Sequence, residues 1–209
     1  MESQRGNIRE KTSVIILTAG NSSRFGQPKA FLSFDETHSF LRNIILEYFY
    51  AGILNVVIVA NQHLRIQIDK EIENLPKEMN VKIILNTHPE RGRCSSIKLG
   101  VAILENSEFA FIQNIDNPFT TPGLIKKMMK NAESGKYVVP AFNGVHGHPV
   151  LLSKSILNDI SSRESIDTNL KDILSAYRFN QVEVNDEQIL ANINTQEDYQ
   201  NYFYHVGTH

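Results

Sequence analysis

The sequence predicts an α/β fold in which helices cover both faces of a mostly parallel β-sheet. Short runs of apolar and β-branched residues, typical of buried parallel strands, recur along the chain. Segments with apolar residues at helical spacing separate these runs, and such alternation is typical of parallel sheets. The 209 residues suffice for one hydrophobic core and are few for two independent domains.

The elements follow one another in a regular order. The first predicted strand is 13–17, and a loop rich in glycine and serine follows it. The other strands are predicted at 55–60, 81–85, 109–114, 137–142, 149–152 and 181–184. Helices are predicted at 40–51, 64–75, 95–104, 122–132 and 195–203, with short helices near Ile156 and Leu170. We therefore expect an N-terminal tail at 1–12 and one domain at 13–205.

Two of these helices carry recognisable start signals. Proline is favoured at the first helical position, so the helix at 122–132 is expected to begin at Pro122, with Thr120 or Thr121 as its cap. The last helix is expected to begin near Thr195.

Composition and charge exclude several functional classes. The formal net charge of −2 gives no overall positive field for a duplex nucleic acid or an anionic membrane. The single cysteine, Cys94, rules out an intramolecular disulfide and a cysteine-rich metal site, and we interpret it as structural. Every apolar run is far shorter than the roughly 20 residues that a membrane-spanning helix needs. Because the N-terminus also lacks a signal-peptide pattern, we expect a cytoplasmic protein.

The loop after the first predicted strand carries the strongest functional signal. Residues 17–29 read Leu-Thr-Ala-Gly-Asn-Ser-Ser-Arg-Phe-Gly-Gln-Pro-Lys. Gly20 and Gly26 allow a sharp turn whose backbone N–H groups can surround an anion, and Arg24 and Lys29 add two cations that suit phosphate. The spacing fits neither a P-loop nor the Gly-x-Gly-x-x-Gly fingerprint. Composition alone would fit an ordinary solvated turn equally well.

The full string of this loop resembles Leu-Ala-Ala-Gly-x-x-x-Arg-(Met/Phe)-Gly-x-x-Lys, the signature of nucleotidyltransferases with a GT-A-type fold. Its Pro-Lys ending is most similar to the molybdenum cofactor cytidylyltransferases of the MobA-like NTP transferase family. Thr18 stands where that family usually has alanine. The resemblance implies a Rossmann-like three-layer α/β/α sandwich in which this loop wraps a nucleoside triphosphate. It implies nucleotide contacts for Leu17, Ala19, Gly20, Asn21, Ser22, Ser23, Arg24, Gly26 and Lys29, with Arg24 and Lys29 also catalytic.

Asp116 is the candidate for the principal metal ligand. It follows the strand predicted at 109–114, where a carboxylate could hold Mg²⁺ beside phosphates. Taken alone, Asp-Asn-Pro at 116–118 is more often a turn that ends a strand. The family has Asp-x-Pro at this point, and the resemblance implies that Asp116 is a catalytic metal ligand.

Asn194 is the candidate for a second metal ligand. Residues 192–199 resemble the family's Asp-Ile-Asp-Thr-Pro-Glu-Asp-(Leu/Tyr), although asparagine replaces both leading aspartates. An amide oxygen can bind Mg²⁺, with less charge than a carboxylate. Asn194 and Thr195 could also cap the last helix, and one residue could serve both purposes.

Two further segments are similar to substrate-binding parts of the family. Residues 86–100 resemble Asn…Gly-x-x-x-Ser-(Leu/Ile)-x-x-Gly, which implies that Ser95 and Ser96 line the nucleotide pocket. For Ser95, helix capping alone is an equal alternative. Residues 143–150 resemble a Gly-x-Arg-Gly-His-Pro-Val turn, which implies an acceptor pocket shaped by Gly147 and His148. His146 replaces the arginine of that turn.

The resemblance implies a Mg²⁺-dependent transfer of a nucleotidyl group from an NTP, expected to be CTP, to a phosphate-bearing acceptor. The expected acceptor is molybdopterin cofactor, with delivery of the product to a molybdoenzyme or its chaperone. A phosphate nucleophile is already ionised at neutral pH, which agrees with a loop rich in cations and poor in bases. Two alternatives stay open: transfer to a sugar or polyol phosphate, and nucleotide binding without turnover.

Overall fold

The computed structural model describes residues 8–19, 25–163 and 169–204, and an eight-stranded sheet forms its middle layer. The strands are β1 (Thr12–Leu17), β2 (Asn55–Ala60), β3 (Asn80–Leu85), β4 (Phe109–Asn114), β5 (Lys136–Phe142), β6 (Val145–His146), β7 (Val150–Ser153) and β8 (Arg178–Glu183). Their order is β3-β2-β1-β4-β7-β5-β6, and β8 pairs with β5. The first four strands of this order run parallel. Strand β7 is antiparallel to both of its neighbours, whereas β8 is parallel to β5.

Helices cover both faces of this sheet. They are α1 (Phe40–Ala51), α2 (Arg65–Ile72), α3 (Arg93–Ala102), α4 (Pro122–Lys130), α5 (Lys154–Ser162), α6 (Leu170–Leu174) and α7 (Gln196–Phe203). Thr121, rather than Thr120, caps α4, because its hydroxyl accepts a hydrogen bond from the N–H of Leu124. The sheet therefore lies between two helical layers, and the predicted α/β/α sandwich is confirmed.

Strand β1 shows why its sequence is apolar throughout. Val14 and Ile16 belong to the core formed with α1, α2, α4 and α7, whereas Ile15 and Leu17 belong to the core formed with α3, α5 and α6. All six residues of the strand are buried. A strand covered on both faces needs apolar side chains in both directions, so the run is continuous rather than alternating.

Most element boundaries agree with the sequence prediction. The predicted elements at 40–51, 55–60 and 109–114 coincide with α1, β2 and β4, whereas β8 begins three residues earlier than predicted. The two-residue strand β6 was not predicted. The domain bounds stay a prediction, although Thr12 of the expected tail is already the first residue of β1. No helix in the described ranges is long and apolar enough to cross a membrane.

Gly100 allows α3 to lie close to the sheet. A Cβ atom at this position would stand 2.6 Å from Cγ2 of Ile15 and 3.2 Å from Cγ2 of Val59. Real Cβ atoms essentially never approach so closely, so any larger residue would force the helix or the sheet to shift. The position of α3 matters for function because its N-terminal end lines the cleft described below.

We predict that Gly100→Ala lowers the free energy of unfolding by about 1–3 kcal/mol, since the added methyl group overpacks the interface with β1. The matched control is Gly123→Ala in the first turn of α4, where the nearest atom to an added Cβ is 3.9 Å away. Alanine is the better helix former, so the control should leave stability unchanged or slightly raised. Urea unfolding of both variants measures the difference, and equal stabilities would contradict the close packing of α3.

Candidate functional site

A cleft of about 280 Å³ opens at the carboxyl ends of β1 and β4. Along the chain, the strands after β1 add to one side of it and β4 returns to the other side, so the cleft lies at a topological switch point of the sheet. Ligands of open α/β sheets bind at such points. The residues that line the cleft are Leu17, Ala19, Lys29, Pro89, Gly92, Arg93, Ser96, Asn114, Ile115, Asp116 and Asn194.

A backbone hydrogen bond joins the two segments that carry the candidate metal ligands. The N–H of Ile193 donates to the carbonyl oxygen of Asp116 at 2.9 Å, which brings Asn194 beside the turn that follows β4. The side chains of Asp116 and Asn194 are partly buried, and both residues line the cleft.

Asn117 fixes the loop that leads to this contact. Its buried side-chain amide nitrogen lies 3.1, 3.0 and 2.9 Å from the carbonyl oxygens of Gln188, Ile189 and Ala191. Ile189 and Ala191 are buried, and an unpaired carbonyl there would be costly. One side chain of the Asp-Asn-Pro turn therefore holds the segment that carries Asn194.

The side chain of Asn194 does not cap α7 and lines the cleft instead. Thr195 is the cap residue, because its hydroxyl accepts from the N–H of Asp198 at 3.1 Å. The Asp198 carboxylate in turn accepts from the N–H groups of Asn194 and Thr195. The bond from Asn194 is the main reason why the pKa of Asp198 is lowered. Of the two functions considered for Asn194 and Thr195, capping therefore belongs to the Thr195 side chain.

Lys29 reaches across the cleft to Asn194. Its Nζ atom donates to the amide oxygen of Asn194 at 2.6 Å. An amide oxygen has two lone pairs, so this bond does not use its whole capacity to accept. The contact places a cation directly beside a candidate metal ligand.

The predicted phosphate loop is only partly described. Gly20, Asn21, Ser22, Ser23 and Arg24 lie outside the described residues, and their roles stay predictions. Leu17, Ala19 and Lys29 line the cleft, whereas Gly26 does not. Gly26 has φ of +81°, a conformation that favours glycine. The hydroxyl of Thr18, where the family usually has alanine, donates to the carbonyl of Val59 at 3.0 Å, so this polar group is satisfied although buried.

The start of α3 brings one of the two predicted serines to the cleft. Ser96 lines it, and its hydroxyl oxygen accepts from the amide of Asn86 at 2.9 Å. The hydroxyl of Ser95 instead donates to the carbonyl of Gly92 at 2.8 Å, and Ser95 does not line the cleft. The expected capping role of Ser95 is therefore wrong as well: Gly92 is the cap residue of α3, and no side chain caps this helix.

Gly147 and His148 support the cleft from outside it. A Cβ on Gly147 would lie 2.5 Å from the carbonyl oxygen of Ile189, and the N–H of His148 donates to the same oxygen at 2.9 Å. Neither residue lines the cleft, although the His148 ring is 3.4 Å from the side chain of Asn114. Burial, reinforced by the charge of Arg93, lowers the pKa of His148 to about 4, so this imidazole is neutral at neutral pH.

Sequence reasoning assigned no contact to Arg93, which lines the cleft. Its Nη2 atom donates to the amide oxygen of Asn114 at 2.5 Å. The surrounding protein lowers the pKa of Arg93 by desolvation, and the charge of Asp116 acts in the opposite direction. The sequence feature that could have indicated Arg93 is its position inside the 86–100 segment, close to Ser95 and Ser96.

The donor set of the cleft fits a divalent cation that also binds phosphates. Within the described ranges, no three His, Cys, Asp or Glu residues group closely enough to hold a metal by themselves. Mg²⁺ is commonly bound by one or two carboxylates, with substrate phosphates and water completing its shell. One carboxylate (Asp116) and one amide oxygen (Asn194) match that pattern.

Comparisons with known proteins show which family the chain matches and which solved structures share its fold. The family described as MobA-like NTP transferase domain matches residues 14–182. The chain is 28% identical to the molybdenum cofactor cytidylyltransferase of Escherichia coli (strain K12) over 188 residues, 88% of this chain and 92% of that protein. It is 23% identical to a probable molybdenum cofactor guanylyltransferase of Clostridium perfringens over 199 residues, 95% of this chain and 92% of the relative. A solved nucleotidyl transferase from Methanothermobacter thermautotrophicus has a TM-score of 0.75 at 18% identity, covering 92% of this chain and 95% of the other.

We predict that Asn117→Leu destabilises the protein by about 1–3 kcal/mol, because it removes the hydrogen bonds to the 188–191 turn and leaves the carbonyl of Ala191 without its donor. The matched control is Asn192→Ala, an exposed asparagine on the same segment, which should change stability by less than about 0.5 kcal/mol. Chemical denaturation measures both variants. If the Asn117→Leu variant is as stable as Asn192→Ala, the Asn117 amide does not hold the 188–191 turn.

Proposed function

Because this chain belongs to the family of MobA-like NTP transferase domains, we propose that it transfers a cytidylyl group from CTP to the phosphate of molybdenum cofactor. Its relatives are named nucleotidyltransferases, and the chain is a nucleotidyltransferase of this family. The observation that carries the proposal is the meeting of Lys29, Asp116 and Asn194 in one cleft at the switch point of the sheet. A carboxylate, an amide oxygen and an ammonium group suit a nucleoside triphosphate with a divalent cation.

In this proposal Asp116 and Asn194 hold Mg²⁺. When bound, the ion supplies positive charge to the phosphates. The ammonium of Lys29 binds phosphate oxygens, and its hydrogen bond to Asn194 keeps it at the same end of the cleft. Arg24, from the predicted phosphate loop, is assigned to the same phosphates. These groups bind and orient the triphosphate before reaction.

The chemistry needs positioning more than proton transfer. A phosphate oxygen of the acceptor attacks the α-phosphorus of CTP, and the new O–P bond forms as the bond to pyrophosphate breaks. The nucleophile is already an anion near neutral pH, so no side chain has to remove a proton. Negative charge that develops on the leaving pyrophosphate is stabilised by Lys29, and alignment supplies most of the remaining acceleration.

The choice of CTP rests on the wall formed by the start of α3. Guanylyl-transferring relatives usually carry a Gly-Leu-x-Gly-type segment where this chain has Arg93-Cys94-Ser95-Ser96. Backbone groups near Leu17 and Ala19, together with Ser96, can hydrogen-bond a pyrimidine edge. A larger purine would meet limited room and leave such groups unpaired, which costs factors of about 10² to 10⁵ depending on their number.

One observation favours a second acceptor class, a sugar or polyol phosphate. The acceptor turn carries His146 instead of the usual arginine, and the His146 ring lies 2.8 Å from the side-chain oxygen of Gln181, away from the cleft residues. The turn therefore lacks a guanidinium that the molybdenum cofactor enzymes usually have at that point.

We predict that Lys29→Ala reduces the rate of nucleotidyl transfer by about 10²-fold or more, since it removes a cation from the phosphates. Its unfolding free energy should change by less than about 1 kcal/mol, because the lysine is only partly buried in a loop. The matched control is Lys77→Ala, an exposed loop lysine that does not line the cleft. Turnover of Lys29→Ala at the rate of this control would refute the assignment.

A pyrophosphate-release assay tests the function itself. The purified protein is incubated with Mg²⁺, each of CTP, GTP, ATP and UTP, and either molybdenum cofactor or a panel of sugar and polyol phosphates. Release with CTP and molybdenum cofactor supports the proposal, whereas release only with a sugar or polyol phosphate supports the second acceptor class. Preference for GTP would overturn the cytidylyl assignment.

A further inference from the structure

The cleft contains a second cation whose hydrogen-bonding capacity is largely unused by the protein. Arg93 is exposed to the solvent of the cleft, and a guanidinium carries five N–H donors. Within the part of the chain that the structure describes, its one hydrogen bond goes to Asn114, and no carboxylate lies within 4.0 Å to form an ion pair. The remaining N–H groups are therefore available to an anion that enters the cleft from solvent.

The direction of the hydrogen bonds fixes the orientation of this guanidinium. Arginine can only donate, so the side-chain oxygen of Asn114 faces Arg93 and its nitrogen faces His148. With this orientation of the amide, the Nε2 atom of His148 is the acceptor of the 3.4 Å contact with the Asn114 nitrogen. The low pKa of His148 agrees with this assignment, since a protonated ring would place a donor against a donor.

The charges around the cleft favour an anion. Among its described lining residues, Lys29 and Arg93 are cations, and Asp116 is the one acidic residue. Asn194, whose counterpart in the family is an aspartate, contributes an amide instead of a second negative charge. The lining is therefore more positive than the family pattern would make it, which suits a polyanion.

We propose that Arg93 binds a phosphate oxygen of a substrate in this cleft, and that Asn114 is a positioning residue that aims the guanidinium. His148 keeps the Asn114 amide in the required orientation. The inference rests on the proposed function, and it adds a phosphate-binding group from the start of α3 to those of the predicted phosphate loop. Two substrates carry the required chemistry, the nucleoside triphosphate and the phosphate of the acceptor.

Binding measurements on Arg93→Met test the proposal. Methionine keeps much of the apolar stem and removes the charge, and the control is Arg91→Met, an exposed arginine two residues away that does not line the cleft. Calorimetry measures the affinity for CTP with Mg²⁺, and steady-state assays measure KM for the acceptor. Loss of a hydrogen bond to a charged group should weaken one of the two by about tenfold or more.

The two arms identify which substrate Arg93 contacts. Weaker CTP binding assigns it to the nucleotide, whereas unchanged CTP binding with a raised acceptor KM assigns it to the acceptor. Wild-type values for both in Arg93→Met would overturn the inference. So would a wild-type protein that binds neither CTP nor inorganic triphosphate. Failure of the proposed function gives a different result: the wild-type protein would bind CTP but release no pyrophosphate.

Asn114→Asp separates positioning of a binding group from a merely structural contact. The carboxylate keeps the hydrogen bond to Arg93 but neutralises its charge through an ion pair. If the contact were only structural, this variant would be folded, at least as stable and fully able to bind substrate. We expect it to stay folded and to lose about tenfold or more in the same affinity that Arg93→Met loses. Undiminished substrate affinity in Asn114→Asp would contradict the positioning role.

Discussion

The hydrogen bond from the N–H of Ile193 to the carbonyl of Asp116 is the contact on which the cleft depends. It joins two segments that are far apart in sequence, the end of β4 and the approach to α7. The amide of Asn117 reinforces the join by pairing with three carbonyl groups of the 188–191 turn. As a result, a carboxylate and an amide oxygen lie at the switch point of a sheet whose two faces are already buried.

The charge balance of the cleft follows from this arrangement. Thr195 and Asp198 cap α7, which leaves the Asn194 side chain to accept from Lys29 rather than to cap the helix. Because Asn194 carries no charge, its hydrogen bond to Lys29 is not an ion pair. Arg93 in the same cleft donates to another neutral amide, that of Asn114. Each of the two cations therefore donates a hydrogen bond to the oxygen of a neutral amide.

The sequence predicted the layers of the fold and most elements because its apolar runs and helical spacings are strong and local. The β1 run and the Pro122 start are examples, since each is determined by neighbouring residues. The order of the strands, the antiparallel β7 and the two-residue β6 depend on long-range pairing, which no local pattern specifies. For the same reason the sequence indicated Asp116 and Asn194 but not their junction through Ile193. It assigned no contact to Arg93, because the hydrogen bond of that residue to Asn114 is a long-range contact. Ser95 and Ser96 are adjacent in sequence, and only the helix geometry shows which one lines the cleft.

The central claim is that Asp116 and Asn194 together hold a divalent cation beside the phosphates of the nucleotide. Titration of Mn²⁺, followed by electron paramagnetic resonance in the presence of CTP, tests it most directly for the wild type, Asp116→Asn and Asn194→Asp. The account predicts weaker Mn²⁺ binding in Asp116→Asn, which loses the one carboxylate of the pair. It predicts equal or tighter binding in Asn194→Asp, because a second carboxylate adds charge to the same site. Mn²⁺ binding to Asp116→Asn with wild-type affinity would contradict the claim.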